Sequence, residues 1–320
     1  MRRAAKREGS PWTGLGPVFA KELADQLTSV RMRVLEIIVL VAAVGAVYVA
    51  GQQLRATVSE SPFAFLQLFT SAQDPLPSFV TFLGFFVPLI AISLGFDAVN
   101  GELNRRTLSR VLAQPIYRDA LLAGKFLAAL ATLALLLLGL WLVTTGLGIL
   151  ALGIPPSGEE VARGLLFLLV TLVYAGIWLS LALLCSLLFR QPATSAMVSL
   201  GAWIFFTVLW PIFAEYLAQG IAGPAIMPEA QLRQAELATA LARLDPGTLY
   251  AGAVQVLLHP SVRSLGPVFI SQLERALIGA PLPLGQSVLL AWPQTVALLA
   301  GTSLLVAFAY VVFQRREIRA

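Results

Sequence analysis

Two carboxylates and a group of arginines stand together between two long apolar runs of the sequence. Asp97 and Glu102 are followed by Arg105, Arg106 and Arg118. Apolar side chains recur among them at helical spacing, at Leu108, Val111, Leu112 and Ile116. This pattern predicts a short amphipathic helix, whose apolar ridge can dock against another surface while the charges orient it through ion pairs.

The two carboxylates are the more informative charges in this segment. Aspartate and glutamate contribute little to membrane topology, and without partners they cost free energy near apolar surroundings. Asp97 and Glu102 therefore favour a functional contact. Some of the arginines would act as topology anchors whatever the function is.

The sequence contains no visible catalytic or metal-binding set. A phosphate-binding loop of the form G-x-x-x-x-G-K-[ST] is absent, because Gly124-Lys125 is followed by Phe126 and lacks the upstream glycine. Cys185 is the only cysteine, which excludes an internal disulfide, and His259 is the only histidine, which favours a structural role for it. We therefore expect no enzyme, no metal site and no cofactor in this chain. If ATP drives the protein, another chain must bind it.

The composition is that of a polytopic membrane protein. Of 320 residues, 58% are hydrophobic and 12% are charged, with a mean hydropathy of +0.82, whereas soluble domains have roughly 25% charged residues. The net charge of +5 does not indicate a nucleic-acid partner, because the basic residues flank apolar runs. Since a span needs about 20 apolar residues, we predict an all-α fold with six transmembrane helices, at about 34–54, 78–99, 120–150, 163–189, 194–217 and 287–313.

Lysines and arginines are distributed unevenly among the predicted loops. They concentrate before residue 34, in the connection 101–125 and in the tail, whereas only Arg55 and Arg163 flank short loops on the opposite side. The positive-inside rule places the basic side in the cytoplasm. We predict a multi-pass protein of a prokaryotic cytoplasmic (plasma) membrane, with both termini cytoplasmic.

Two segments outside the predicted spans carry helical patterns. Phe19, Leu23 and Leu27 recur every four residues within 17–33, which predicts an interfacial helix along the inner leaflet, with a cytoplasmic extension of the first span as the alternative. Residues 1–16 are a basic lead-in that we expect to be disordered. Residues 219–286 predict a small extracytoplasmic helical segment with amphipathic pieces resting on the membrane, or else a solvated connector with frayed helices.

The interiors of the predicted spans are nearly free of ionisable groups. Carriers driven by proton or sodium gradients usually need acids or histidines at mid-depth. Secondary transport is therefore disfavoured. Any transported molecule should be apolar or amphiphilic, or else nothing crosses the membrane.

The charged segment resembles that of ABC-2 type permease subunits, especially the branch that includes the nitrous-oxide-reductase maturation permease. This family carries an aspartate, Gly-Glu, Thr-Leu, Pro, Arg and Gly-Lys at similar spacings, matched here by Asp97, Gly101, Glu102, Thr107, Leu108, Pro115, Arg118, Gly124 and Lys125. Arg106 departs from the pattern, because the family usually has glycine before the threonine. The ending FQRREIRA is similar to the family's Phe-x-Arg-x-Glu-Ile-Arg ending. The resemblance identifies residues 17–320 as an ABC-2 type transmembrane domain, most weakly in 219–286.

The resemblance implies a permease subunit without its own ATP site, working with a separate ABC ATPase subunit that binds ATP and Mg²⁺. Segment 100–118 would be the cytoplasmic coupling helix, and the interfacial helix would lie beside the ATPase. The residues that contact or orient the ATPase would be Asp97, Glu102, Arg105, Arg106, Thr107, Leu108, Val111, Leu112, Pro115 and Arg118. A permease dimer in the lipid bilayer is also implied, either a homodimer or a close heterodimer.

Two mechanisms and one different role remain open at this point. One mechanism is export of a hydrophobic or amphiphilic substrate through the dimer interface. The other is mechanical transmission, in which ATP cycles act on an extracytoplasmic protein partner and nothing is translocated. The different role, which ranks lower, is a membrane scaffold or assembly factor without an ATPase.

Overall fold

The computed structural model describes residues 12–54, 63–72, 77–106, 116–223, 228–262 and 281–315. Every regular element within these residues is helical. In chain order the helices are α1 Leu15–Thr28, α2 Val30–Leu54, α3 Ala64–Thr70, α4 Phe79–Gly95, α5 Asn100–Asn104, α6 Arg118–Leu152, α7 Gly158–Leu188, α8 Pro192–Ile204, α9 Trp210–Ala222, α10 Pro228–Ala242, α11 Pro246–Leu258 and α12 Leu284–Arg315. A π-helical turn, Phe205–Leu209, joins α8 to α9.

The prediction of an all-α polytopic membrane protein is confirmed. In the described part of the chain, six helical stretches are long and apolar enough to cross a membrane: Val30–Gln52, Phe79–Asn104, Arg118–Leu152, Gly158–Leu188, Pro192–Ala222 and Leu284–Arg315. The fourth begins before the apolar run that predicted it, because Ser157 and Glu160 form a capping box. The Ser157 amide donates to Glu160 Oε2 at 2.8 Å, which starts the helix in polar sequence that hydropathy does not register.

Helix α7 lies at the centre of the bundle and packs against α4, α6, α8, α11 and α12. It buries large side chains such as Tyr174 and Trp178. The backbone of α4 comes close to α7 at Gly95, where a Cβ would lie only 2.8 Å from Ala182 Cβ. By contrast, the fifth and sixth spans leave most of their apolar side chains exposed, an exterior that lipid or a second subunit can cover.

The bundle has two different ends. We call the end that carries α1, α5, the first turn of α6 and the last turn of α12 the charged end. There Arg118 donates to the Gln314 carbonyl at 3.5 Å, and Gln314 donates to Asp119. The opposite, distal end carries α3, α11 and the start of α12. The beginning of α1 and the end of α12 therefore share one end, as an even number of spans requires.

Arg163 joins the elements of the distal end. Its guanidinium group is fully buried and donates to Glu159 Oε1 at 2.8 Å, to the Leu257 carbonyl at 2.9 Å, to Ser287 Oγ at 3.1 Å and to the Leu282 carbonyl at 2.6 Å. These contacts connect α7 with the end of α11 and the start of α12. A buried arginine is stable here because its donors are satisfied.

The segment predicted at 219–286 is mainly helical where the structure describes it. Helix α10 folds back along α9, and Trp210 Nε1 donates to the Leu241 carbonyl at 2.9 Å. Helix α11 differs from the expected amphipathic piece resting on the membrane, because it packs among α4, α7 and α12 with Tyr250, Val254 and Leu257 buried. Its 13 residues are too few to span a bilayer, so hydropathy alone did not assign it to the bundle.

Candidate functional site

A buried lysine joins three segments at the charged end. Lys125 of α6 is only 3% exposed, and its ammonium group donates to Glu22 Oε1 of α1 at 2.9 Å and to Glu102 Oε1 of α5 at 2.7 Å. A buried ammonium needs such charged partners, because removing one ion from water without compensation costs several kcal/mol. The junction therefore connects the N-terminal helix α1, the end of the second span at α5 and the third span.

The glycine that precedes this lysine allows the close approach. A Cβ at Gly124 would lie 2.7 Å from Val18 Cγ1, well inside van der Waals contact. Helix α1 can therefore pack directly on the backbone of α6, which brings Glu22 within reach of Lys125. Further along the same contact, Thr132 donates to Gln26 Oε1 at 2.9 Å.

The electrostatics of the junction favour ionised groups. Burial alone would raise the pKa of Glu22, but the ammonium groups of Lys125 and Lys21 outweigh it and hold that pKa below its usual range. Lys21 Nζ lies 2.9 Å from Glu22 Oε1 and 3.1 Å from Asp25 Oδ2. Burial tends to lower the pKa of Lys21, and these two carboxylates together raise it.

Asp97 forms a second connection at the charged end. It accepts hydrogen bonds from Arg31 of α2 at 3.2 and 3.4 Å, and the same guanidinium group lies 5.1 Å from the centre of the Phe96 ring. The pair is partly solvated, with 39% and 30% of the two side chains exposed. We therefore assign it a stabilisation of about 1 kcal/mol or less. Its consequence is positional, because it ties the start of the first span to the end of the second.

Serine 186 attaches the start of α5 to the central helix. The backbone amides of Val99 and Asn100 donate to Ser186 Oγ at 3.0 and 3.1 Å. Both Ser186 and Asn100 are fully buried, and Asn100 Nδ2 donates to the Phe189 carbonyl at 3.3 Å. The start of α5 is therefore bonded directly to the last turn of α7.

The predicted coupling helix at 100–118 is not one continuous helix. Helix α5 ends at Asn104, Arg106 has a left-handed φ of 55°, and Tyr117 is extended before Arg118 opens α6. The left-handed residue interrupts the helical path, and it is the position where the related family usually has glycine. Arg105 and Arg106 are exposed, and Arg118 contacts the end of α12. The other predicted coupling residues lie outside the described residues: Thr107, Leu108, Val111, Leu112 and Pro115.

Helix α1 is separate from the first span. Ser29 between α1 and α2 is extended, with ψ of 139°, and its hydroxyl accepts from the Met32 amide at 3.1 Å. This break shows that α1 and α2 are not one continuous helix, and both the interfacial helix and the cytoplasmic extension of the first span stay predictions. The face that packs on α6 carries Val18, Glu22 and Gln26.

The apolar residues that predicted the interfacial helix lie beside the face of α1 that packs on α6. Phe19 and Leu23 are half-buried, and Leu27 is 37% exposed. These side chains are available to the membrane surface, and the interfacial position of α1 stays a prediction.

Sequence reasoning did not identify Lys125 and Glu22 as a pair. A lysine inside an apolar run and a glutamate inside an amphipathic helix were the available signals, but the residues are far apart along the chain and either one can be explained by topology. Ser186 gave no signal at all, because serine is common in membrane helices. The cluster holds α1, α5 and α6 at one junction through ion pairs and hydrogen bonds.

Comparisons with known proteins agree with this architecture. The model of a family described as "ABC-2 family transporter protein" matches residues 17–318. A protein of Stutzerimonas stutzeri named "Probable ABC transporter permease protein NosY" is 27% identical over 311 residues, which cover 93% of this chain and 97% of that protein. One of the same name from Pseudomonas aeruginosa is 32% identical over 169 residues, 50% of this chain and 59% of that protein. The chain therefore belongs to the ABC-2 family of transporter proteins, as a multi-pass permease subunit.

Proposed function

We propose that this permease subunit couples ATP hydrolysis by a separate ABC ATPase subunit to export of a hydrophobic or amphiphilic substrate. In this proposal ATP and Mg²⁺ bind the ATPase, and the charged end faces it in the cytoplasm. Both termini then lie on the cytoplasmic side of a prokaryotic plasma membrane. The distribution of lysine and arginine along the sequence supports this orientation.

The observation that carries the proposal is the triple junction at Lys125. Segment 100–118 is the connection that would meet the ATPase, and Glu102 in its first turn is held to α6 and α1 through one ammonium group. A push on α5 therefore reaches the third span through Lys125 and the fourth span through Ser186. Ion pairs of this kind resist separation, so they can pass on a displacement.

A second copy of the permease completes the proposed transporter. The fifth and sixth spans bury only 11% and 17% of the residues in their most apolar parts. Large apolar side chains on them are exposed, including Ile212, Phe213, Leu304 and Phe308. A homodimer would cover part of this surface, and lipid would cover the rest.

Mechanical transmission without translocation is the alternative, and Arg163 is the observation that favours it. Helix α7 is held at one end by Ser186 and at the other by Arg163, which bonds the carbonyls of Leu257 and Leu282. A shift of α7 would therefore move the distal elements, where an extracytoplasmic protein partner could respond. The lower alternative, a scaffold without an ATPase, requires none of these connections.

Co-purification with the ATPase tests the proposal. Replacing Leu108 and Leu112 by Asp should release the ATPase, because burying such side chains contributes on the order of 1.5 to 3 kcal/mol each. Leu244→Asp is the matched control, since Leu244 is exposed in the turn after α10 and outside the spans. An ATPase that stays bound and fully stimulated in the double variant would overturn the coupling proposal.

Vesicle transport with the intact complex separates the alternatives. ATP-dependent movement of an amphiphile supports export, and ATP-dependent changes at the distal end without such movement support transmission. Transport that continues without ATP and stops when the proton or sodium gradient is collapsed would contradict both.

A further inference from the structure

A cleft of about 640 Å³ opens on the side of the bundle towards the distal end. Val80, Thr81 and Phe85 of α4 form one wall, and Ala251 and Val254 of α11 form the other. Its volume lies within the range of roughly 300 to 1,000 Å³ that is typical of small-molecule sites. It is separate from the junction at Lys125, which lies at the charged end.

Two stacked tyrosines form the floor of the cleft. The rings of Tyr174 and Tyr250 are 4.4 Å apart with an angle of 11° between their planes. Tyr174 donates its hydroxyl to the Gly84 carbonyl at 3.1 Å, and the Tyr250 hydroxyl pairs with Thr171 Oγ1 at 3.2 Å. Both hydroxyls have partners within the bundle, and the two side chains are only 1% and 2% exposed. The pair therefore supports the cleft from beneath, while Phe85, which is 48% exposed, supplies aromatic surface to it.

The fifth span is widened where it borders the cleft. Thr207 lies in the π-helical turn, and Pro211 follows it in α9. Proline has no amide hydrogen, so it cannot donate to the Thr207 carbonyl as a regular α-helix would require. Such π-helical turns occur frequently at functional sites.

The remaining lining residues are polar but carry no positive charge. They are Thr70, Ser78, Asp245, Thr248, Gln255 and His259, and no lysine or arginine lines the cleft among the described residues. Asp245 accepts from the Gly247 and Thr248 amides at 2.9 and 2.7 Å, so its carboxylate is occupied in starting α11. Burial lowers the pKa of His259, which leaves that imidazole neutral near pH 7.

We propose that this cleft binds one uncharged amphiphile, with its apolar body against Val80 and Phe85 and its hydroxyl or amide head against Thr81 and Gln255. An anionic headgroup finds no described cation there and meets the Asp245 carboxylate, which disfavours it. Binding as such needs no ATPase. That the bound amphiphile is also the exported substrate rests on the proposed function.

Photo-crosslinking in nanodiscs tests the inference on the full-length chain. The probe is a monoacylglycerol with a diazirine in its acyl chain, and the competitors are monooleoylglycerol and the anionic lysophosphatidylglycerol with the same chain. We expect crosslinks in peptides from α4 and α11, with monooleoylglycerol competing at least about tenfold better than the anionic lipid.

Two variants fill the cleft from opposite walls. Ala251 and Thr81 are both exposed, so Ala251→Trp and Thr81→Trp should fold and reduce crosslinking at these peptides at least about tenfold. Ala297→Trp on the exposed face of α12 is the matched control and should leave crosslinking unchanged. If neither cleft variant reduces crosslinking, or if the anionic lipid competes equally well, the inference is wrong. ATPase co-purification is measured on the same samples, so a failure here is distinguishable from a failure of the proposed function.

Discussion

Glu22 and Glu102 accept hydrogen bonds from the same ammonium group, at 2.9 and 2.7 Å from Lys125 Nζ. One carboxylate belongs to the N-terminal helix and the other to α5 at the end of the second span, so neither can leave the third span without breaking a charged contact. Lys21 Nζ lies 4.0 Å from Glu102 Oε1 and adds a second positive charge to the cluster. These contacts connect α1, α5 and α6 in one charged cluster.

Acid should loosen α1 from α6. The pKa of Glu22 is lowered in the folded protein, so its contribution is fully present above the ordinary carboxyl value of 4.5 and is lost as the pH falls through the lowered value. The hydrogen-exchange rate of the α1 amides, corrected for its intrinsic pH dependence, should rise as the pH falls through the lowered pKa of Glu22. Glu22→Gln should exchange faster at neutral pH and lose this dependence. An identical acid profile in Glu22→Gln would contradict the assignment.

Glycine should be the best replacement for Arg106. Its φ of 55° lies in the left-handed region, which costs a non-glycine residue roughly 1–2 kcal/mol. Arg106→Gly should therefore be at least as stable as the parent in thermal unfolding, although glycine also gains freedom in the unfolded chain. Arg106→Val should be less stable, because a β-branched side chain tolerates this conformation poorly. Equal stability of the two variants would argue against a left-handed residue.

Loss of Arg163 should destabilise the distal end. Arg163→Met leaves the Leu257 and Leu282 carbonyls and the Ser287 hydroxyl without their donor, and each buried polar group left unsatisfied typically costs about 1–3 kcal/mol. Glu159→Gln should cost about 1 kcal/mol or less, because the Glu159 side chain is 40% exposed. Thermal unfolding in detergent compares the two. A cost for Arg163→Met no larger than that for Glu159→Gln would exclude the proposed role.

The two ends of the bundle should label from opposite sides of the membrane. Arg105 and Gln231 are both exposed, and Cys185 can be replaced by Ala to remove the native thiol. In intact cells an impermeant maleimide should label Gln231→Cys and not Arg105→Cys, and detergent should make both accessible. The reverse pattern would invert the orientation.

The spans could be predicted from sequence because they depend on one property, the summed hydropathy of consecutive residues. Runs of about 20 apolar residues identify a span whatever it packs against, and the charge distribution adds the orientation. Helix α11 could not be assigned to the bundle this way, since its 13 residues are short and its burial depends on neighbours supplied by α4, α7 and α12.

The site was only partly predictable for a similar reason. Asp97 and Glu102 stood out because carboxylates are costly near a membrane, and the structure gives them the partners Arg31 and Lys125. Which cation pairs with which carboxylate depends on how the helices pack, and a single sequence does not contain that information. Arg106 in a left-handed conformation likewise interrupts a helix that periodicity alone would continue.

The most direct test of the coupling account is stimulated ATP turnover by the reconstituted complex carrying Lys125→Met, with Lys125→Arg as the charge-preserving control. Lys125→Met removes the buried cation that both carboxylates share and leaves only the exposed Lys21 near them, so the junction should open while the spans, which do not depend on it, still insert. Thermal unfolding and ATPase co-purification establish that the variant complex is assembled. The account predicts that assembled Lys125→Met loses stimulated turnover at least about tenfold, or about 1.4 kcal/mol, while Lys125→Arg retains most of it. Undiminished stimulated turnover in assembled Lys125→Met would contradict the claim that this junction carries the coupling.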